Sequence, residues 1–146
     1  MPLPSVATLA PGDIVWCVFP NTGSGAIAKA RPALVLSIMD NETPPRLRVA
    51  YGTTQRPRPY GRGDFLIEDQ RHLDQAGLAS ITKFRMTNIV VIPFTDDYFE
   101  GAPLSGGSRS STPKMGTLPA ALMPELQRAI QEAGLLARPS QPSPSE

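Results

Sequence analysis

A chain of 146 residues, 40% apolar and 18% charged, is one globular domain's worth of sequence. Its formal net charge of +1 excludes a general pull toward nucleic acid or acidic membranes, so any such attraction must come from local clustering. A single cysteine excludes an internal disulfide and a multi-cysteine zinc site, while 17 prolines and 12 glycines favour a turn-rich, mainly β chain.

Residues 1–12 form a proline-rich lead-in without the basic and apolar regions of a secretory signal. No apolar stretch approaches the ~20 residues of a membrane span, so a cytoplasmic protein with no membrane partner is expected. The run "DIVWCVF" (Asp13 to Phe19) reads as a strand, with Cys17 as a small buried residue and Trp16 and Phe19 as core or dimer-contact aromatics. A Gly- and Ser-containing loop follows, then "PALVLSI" (Pro32 to Ile38), continuously apolar as a central strand would be. Turn chemistry in "DNETPP" predicts a hairpin to "RLRVAYG" (Arg46 to Gly52), where Leu47, Val49 and Tyr51 alternate with more exposed positions.

After an arginine-rich loop, "DFLIE" (Asp64 to Glu68) predicts a short strand and "DQRHLDQAG" (Asp69 to Gly77) one helical turn. "LASITKFRM" and "NIVVIPF" predict two more strands, and about six short strands indicate a small barrel or sandwich. From Thr95 to Thr117 the chain is polar and Gly/Ser-rich and is expected to be a mobile insert. Helical spacing returns at Leu118 to Gly134, with Leu122, Leu126, Ala129, Ile130 and Ala133 on one face. Pro119 opens a preliminary turn, Pro124 starts the regular helix, and Gly134 is placed just past its end. The expected organisation is one domain over residues 13–136, followed by a disordered tail over 137–146.

No Gly-rich phosphate loop is present, and the lone histidine, His72, reads as a surface residue beside a turn. What remains is a cluster of cations at strand ends: Lys29, Arg31, Arg56, Arg58, Arg62, Lys83 and Arg85, half of the 14 basic residues. Thr53, Thr54, Gln55 and Tyr60 add hydrogen-bonding groups and a stacking face. A basic, aromatic-containing groove suits single-stranded RNA, whose bases stack while cations follow the phosphates.

The segments "PGDIVWCVFPNTGSGAIAKARPALVLSI" and "VAYGTTQ" resemble the MazF/PemK family of toxin–antitoxin toxins. There a G-D-I/L-V/I-W strand precedes R-P-A-hydrophobic-V-L-S, and a later strand ends in T-T-Q. The resemblance extends loosely through "GLASITKFRMTNI" to the final helix, roughly Pro11 to Ala133. It implies an SH3-like β-barrel with a C-terminal helix, a homodimer, and a metal-independent, cofactor-free endoribonuclease (an mRNA interferase) inhibited by a cognate antitoxin. Carried over by motif, the catalytic arginine is Arg31 and the catalytic threonine Thr53. Lys29, Thr54, Gln55, Arg56, Arg58, Tyr60, Lys83 and Arg85 are the expected RNA-binding residues.

The chemistry is consistent. Cleavage by the neighbouring 2′-OH passes through a phosphorane carrying extra negative charge, which a permanently protonated guanidinium stabilises and a hydroxyl can orient. A guanidinium cannot serve as the base. Some relatives carry an aspartate at the position of Thr82, others a glutamate near the position of Ala26; this chain has neither. Lys29, His72 and Lys83 stay open as proton-transfer groups, and a non-catalytic module holding nucleic acid or protein on the same barrel is the alternative.

Overall fold

The computed structural model describes residues 3–19, 29–54 and 61–136. Six antiparallel strands form one sheet that curls into a half-barrel: β1 (Asp13–Phe19), β2 (Lys29–Met39), β3 (Arg46–Thr53), β4 (Asp64–Ile67), β5 (Thr82–Pro93) and β6 (Lys114–Thr117). Their spatial order is β4-β5-β3-β2-β1-β6. Two helices complete the fold, α1 (Gln70–Ala76) and α2 (Met123–Leu136).

Both faces of the sheet are covered, which explains why β2 reads as continuously apolar. Ile14, Leu34 and Ala50 point to one cluster, shared with Phe65, Phe84 and the helix residues Leu73, Leu126 and Ala129. Their chain neighbours Val15, Ala33 and Val49 point to a second cluster with Cys17, Leu47, Phe94 and Phe99. The strand period of two thus divides one apolar run between two cores. The lead-in joins the second: Leu9 is buried there, with Leu3 and Val6 packed against it.

α1 begins where the Asp69 carboxylate accepts the Arg71 backbone N–H at 2.9 Å, and ends at Gly77 in the left-handed region. Gly77 is needed twice over, since its φ is +74° and a Cβ would collide with the carbonyl oxygen of Met115.

Four sequence expectations change in detail. The two strands expected at Leu78 to Met86 and Asn88 to Phe94 are the single strand β5, whose pairing with β3 shifts register between Ala50 and Gly52. A bulge absorbs what looked like a break. The insert from Thr95 to Thr117 carries β6, buries Phe99 and supplies the Trp16 backbone N–H with the carbonyl of Pro113 at 2.8 Å. On α2, Leu122, Leu126, Ala129 and Ala133 are buried, but Ile130 is 39% exposed, because those four positions already fill the stripe. Gly134 lies within α2 rather than past its end. The preliminary turn is present at Ala120–Leu122, after Pro119. Residues 137–146 lie outside the described part.

Candidate active site

β2 enters the sheet beside β1, with Arg31 opposite Cys17 and Ala33 opposite Tyr51 on β3. Carried two residues further, that register brings Arg31 level with Thr53. Thr53 in turn stands opposite Lys83 on β5, and Lys83 opposite Leu66 on β4. A guanidinium, a hydroxyl and an ammonium therefore belong to one row across neighbouring strands.

Arg31 and Thr53 line a cleft of about 580 Å³, together with Trp16, Thr54, Thr82 and the Gly77–Ser80 turn after α1. The volume is in the range of small-ligand pockets. Pro103 and Leu104, from the long segment before β6, form a further wall.

The Arg31 guanidinium sits over the Tyr51 ring, 5.1 Å from its centroid, a cation–π arrangement. The Tyr51 hydroxyl accepts the Asn88 side-chain N–H at 2.6 Å, so the ring beneath the cation is itself held. The Nε of Arg31 is buried and has no hydrogen-bond partner among the described residues. A buried donor without a partner costs free energy.

The other expected residues divide. Thr54 lines the cleft and is exposed. Lys83 is buried, 8% exposed, beside Thr53. Arg85 faces its register partner Asp64, with Nε 3.6 Å from the carboxylate, so an acidic neighbour already accompanies it. The backbone of Lys29 opens β2. Gln55, Arg56, Arg58 and Tyr60 lie outside the described residues, as does Ala26. His72 does not line the cleft. Thr82 does, and its hydroxyl donates to the carbonyl of Ser80 at 2.9 Å.

The sequence reading missed two things. Trp16, expected as a core or dimer-contact aromatic, is half-buried and lines the cleft, and its indole N–H donates to the Glu100 carboxylate at 3.0 Å. Glu100 lies 84 positions along the chain, in the segment taken for an insert, so no local pattern could pair the two.

A family model described as "PemK-like, MazF-like toxin of type II toxin-antitoxin system" matches residues 10–133. The chain belongs to this family. The match spans all six strands and most of α2. As a toxin of a type II system, this MazF-like protein has a cognate antitoxin as its partner. Among curated proteins, a search finds no match to the chain. Among the described residues, no helix of the toxin is long and apolar enough to cross a membrane.

Proposed function

We propose that this MazF-like toxin is an endoribonuclease that cleaves single-stranded RNA by attack of the neighbouring 2′-OH. The observation that carries the reading is a cleft lined by both Arg31 and Thr53, with the Arg31 Nε buried and unpartnered among the described residues. The 2′-oxygen forms a bond to phosphorus and gives up its proton to a base. The P–O5′ bond then breaks and the leaving oxygen takes up a proton, leaving a 2′,3′-cyclic phosphate and a 5′-OH. Arg31 stabilises the charge that builds on the non-bridging oxygens. The Thr53 hydroxyl orients the phosphate for in-line attack. Lys83, buried next to Thr53 and outside the cleft lining, adds positive charge nearby, and Thr54 lines the cleft itself. Gln55, Arg56, Arg58, Tyr60, Lys29 and Arg85 are the further RNA contacts of this reading. The toxin works in the cytoplasm as a homodimer, without a metal ion or other cofactor, until its antitoxin occupies the cleft.

Cleavage of a labelled single-stranded RNA pool in EDTA tests this directly. Wild type is expected to cut, and Arg31→Ala to lose at least 10²-fold in rate, as when a comparable donor is removed. Folded wild type that cuts nothing in a broad pool would defeat the reading.

One observation favours a second reading. Where some relatives place an aspartate, Thr82 stands in the cleft with its hydroxyl committed to Ser80. A toxin with no proton acceptor there would bind its target on the same surface without cutting it. Binding of RNA or of a partner protein without cleavage, abolished by Arg31→Ala, would support that module.

A further inference from the structure

We propose that Trp16 is a nucleobase-stacking wall of the cleft and that Glu100 and Arg109 are the residues that position it. The proposal rests on the RNA reading above and assigns a specificity element within it.

Trp16 is the only tryptophan of the chain and shares the cleft with Arg31 and Thr53. Its indole Nε1–H donates to Glu100 Oε2 at 3.0 Å. The same oxygen accepts from Arg109 Nη1 at 2.9 Å, and Arg109 also reaches the carbonyl of Gly101 at 3.1 Å. The frame behind these side chains is backbone. Trp16 N–H donates to Pro113 at 2.8 Å and Val18 N–H to Tyr98 at 2.7 Å, so the Tyr98–Pro113 segment runs along the edge of β1. Within that segment Pro103 bridges Arg109. Ala102 N–H reaches Thr112 at 3.0 Å and Ser110 N–H returns to Ala102 at 2.8 Å. Glu100 and Arg109 are thereby brought to Trp16 on opposite arms of one hairpin.

Three consequences follow. An indole whose single donor is bonded to an anchored carboxylate has its ring plane fixed. With that donor occupied, the ring offers the cleft its π-face and not a hydrogen bond, which suits stacking on an unpaired base. Arg109 also offsets the charge of Glu100, which would otherwise repel a phosphate strand at the rim. Leu104, 50% exposed, gives the same cleft a second apolar side chain. An aromatic residue and a cationic one lining the same cleft are the combination that single-strand binders use for base and phosphate.

Because Trp16 is the only tryptophan, its fluorescence reports on this site alone. Full-length toxin is titrated with a randomised 2′-O-methyl RNA pool, which keeps base and phosphate but withholds the attacking hydroxyl. Steady-state cleavage of ordinary RNA is measured in parallel. Wild type is expected to show quenching on binding. Trp16→Ala should raise KM by roughly five- to a hundredfold, the range of one lost base stack. Trp16→Phe, which keeps an aromatic face but loses the donor that Glu100 holds, should match Glu100→Ala, with KM raised by roughly three- to tenfold. Glu100→Ala should weaken the quenching and raise KM by roughly three- to tenfold with kcat nearly unchanged, and Glu100→Gln, which keeps an oxygen for the indole, should restore both. RNA cleavage by wild type without any fluorescence change, or an unaltered KM in both alanine variants, overturns the stacking wall and leaves the ribonuclease intact. A wild type that neither binds nor cuts RNA overturns both.

Discussion

Thr53 and Lys83 face each other across the β3–β5 ladder, in a row that continues to Leu66 on β4 and, along β2, reaches the level of Arg31. The catalytic hydroxyl of the proposed reaction is therefore fixed by strand pairing and not by a loop. Replacing it should change chemistry more than fold. Thr53→Ala is expected to lower kcat for RNA cleavage by about 10²–10³, with the melting temperature little changed, and Thr53→Ser to recover most of the rate. Lys83→Met should instead weaken binding of the 2′-O-methyl pool and flatten its salt dependence by about one unit of slope, since the proposed reading makes Lys83 one phosphate partner.

Tyr51 lies beneath the Arg31 guanidinium at 5.1 Å and is held from the other end by Asn88. The ring face attracts the cation, while the hydroxyl only anchors the ring. Tyr51→Leu should reduce cleavage by roughly tenfold through a misplaced guanidinium, and Tyr51→Phe by much less. Single-turnover rates on one defined RNA separate the two. Equal losses would show that the hydroxyl, not the ring face, is what matters.

Gly52 precedes Thr53 and sits under the crossing of β3 and β5. A Cβ there would come within 2.7 Å of Thr82 Cγ2 and 2.8 Å of Phe84 Cε1, and Phe84 is fully buried. Gly52→Ala should destabilise the fold by about 1–3 kcal/mol, the usual cost of overpacking a filled core. Urea denaturation measures it, and an unchanged midpoint would mean that the sheet can open at this point.

The half of the site on β2 and β3 was legible because strand ends keep motif residues at fixed positions. "ARPALVLS" and "YGTT" state the order and spacing of Arg31 and Thr53, and two antiparallel strands joined by one turn must bring them level. The hairpin, α1 and the preliminary turn before α2 were equally local, each marked by its own caps or prolines. What stayed hidden was non-local. Nothing near Trp16 announces Glu100 or Arg109, and a segment rich in Gly and Ser gives no sign that its backbone will pair with β1. Ile130 has the right spacing for the core stripe by count, but Leu126 and Ala129 occupy that stripe first. Thr87 between two apolar runs reads as a break, although a bulge lets β5 continue through it.

Cys17 is fully buried in the second core, and burial pushes its thiol up from the ordinary value of 9.0. A thiol raised in the folded state contributes stability that is complete below about pH 9 and is lost as the pH rises and the unfolded chain ionises first. Wild type should therefore lose stability between about pH 9 and 11 more steeply than Cys17→Val, by up to ~1.4 kcal/mol per pH unit, the value of one proton. Denaturant titrations of both proteins at stepped pH measure the difference. Parallel curves would show that the thiol does not couple to folding.

In the proposed reaction the 2′-OH of the substrate is the nucleophile and Arg31 holds the charge it creates. The measurement that tests it most directly is the end-group analysis of products from one RNA carrying a single 2′-O-methyl at its mapped cleavage site, beside the unmodified strand, in EDTA. The unmodified RNA is expected to give 2′,3′-cyclic phosphate and 5′-OH ends, with no cutting at the blocked position. Products with 3′-OH and 5′-phosphate ends, or cutting that ignores the methyl group, would contradict it.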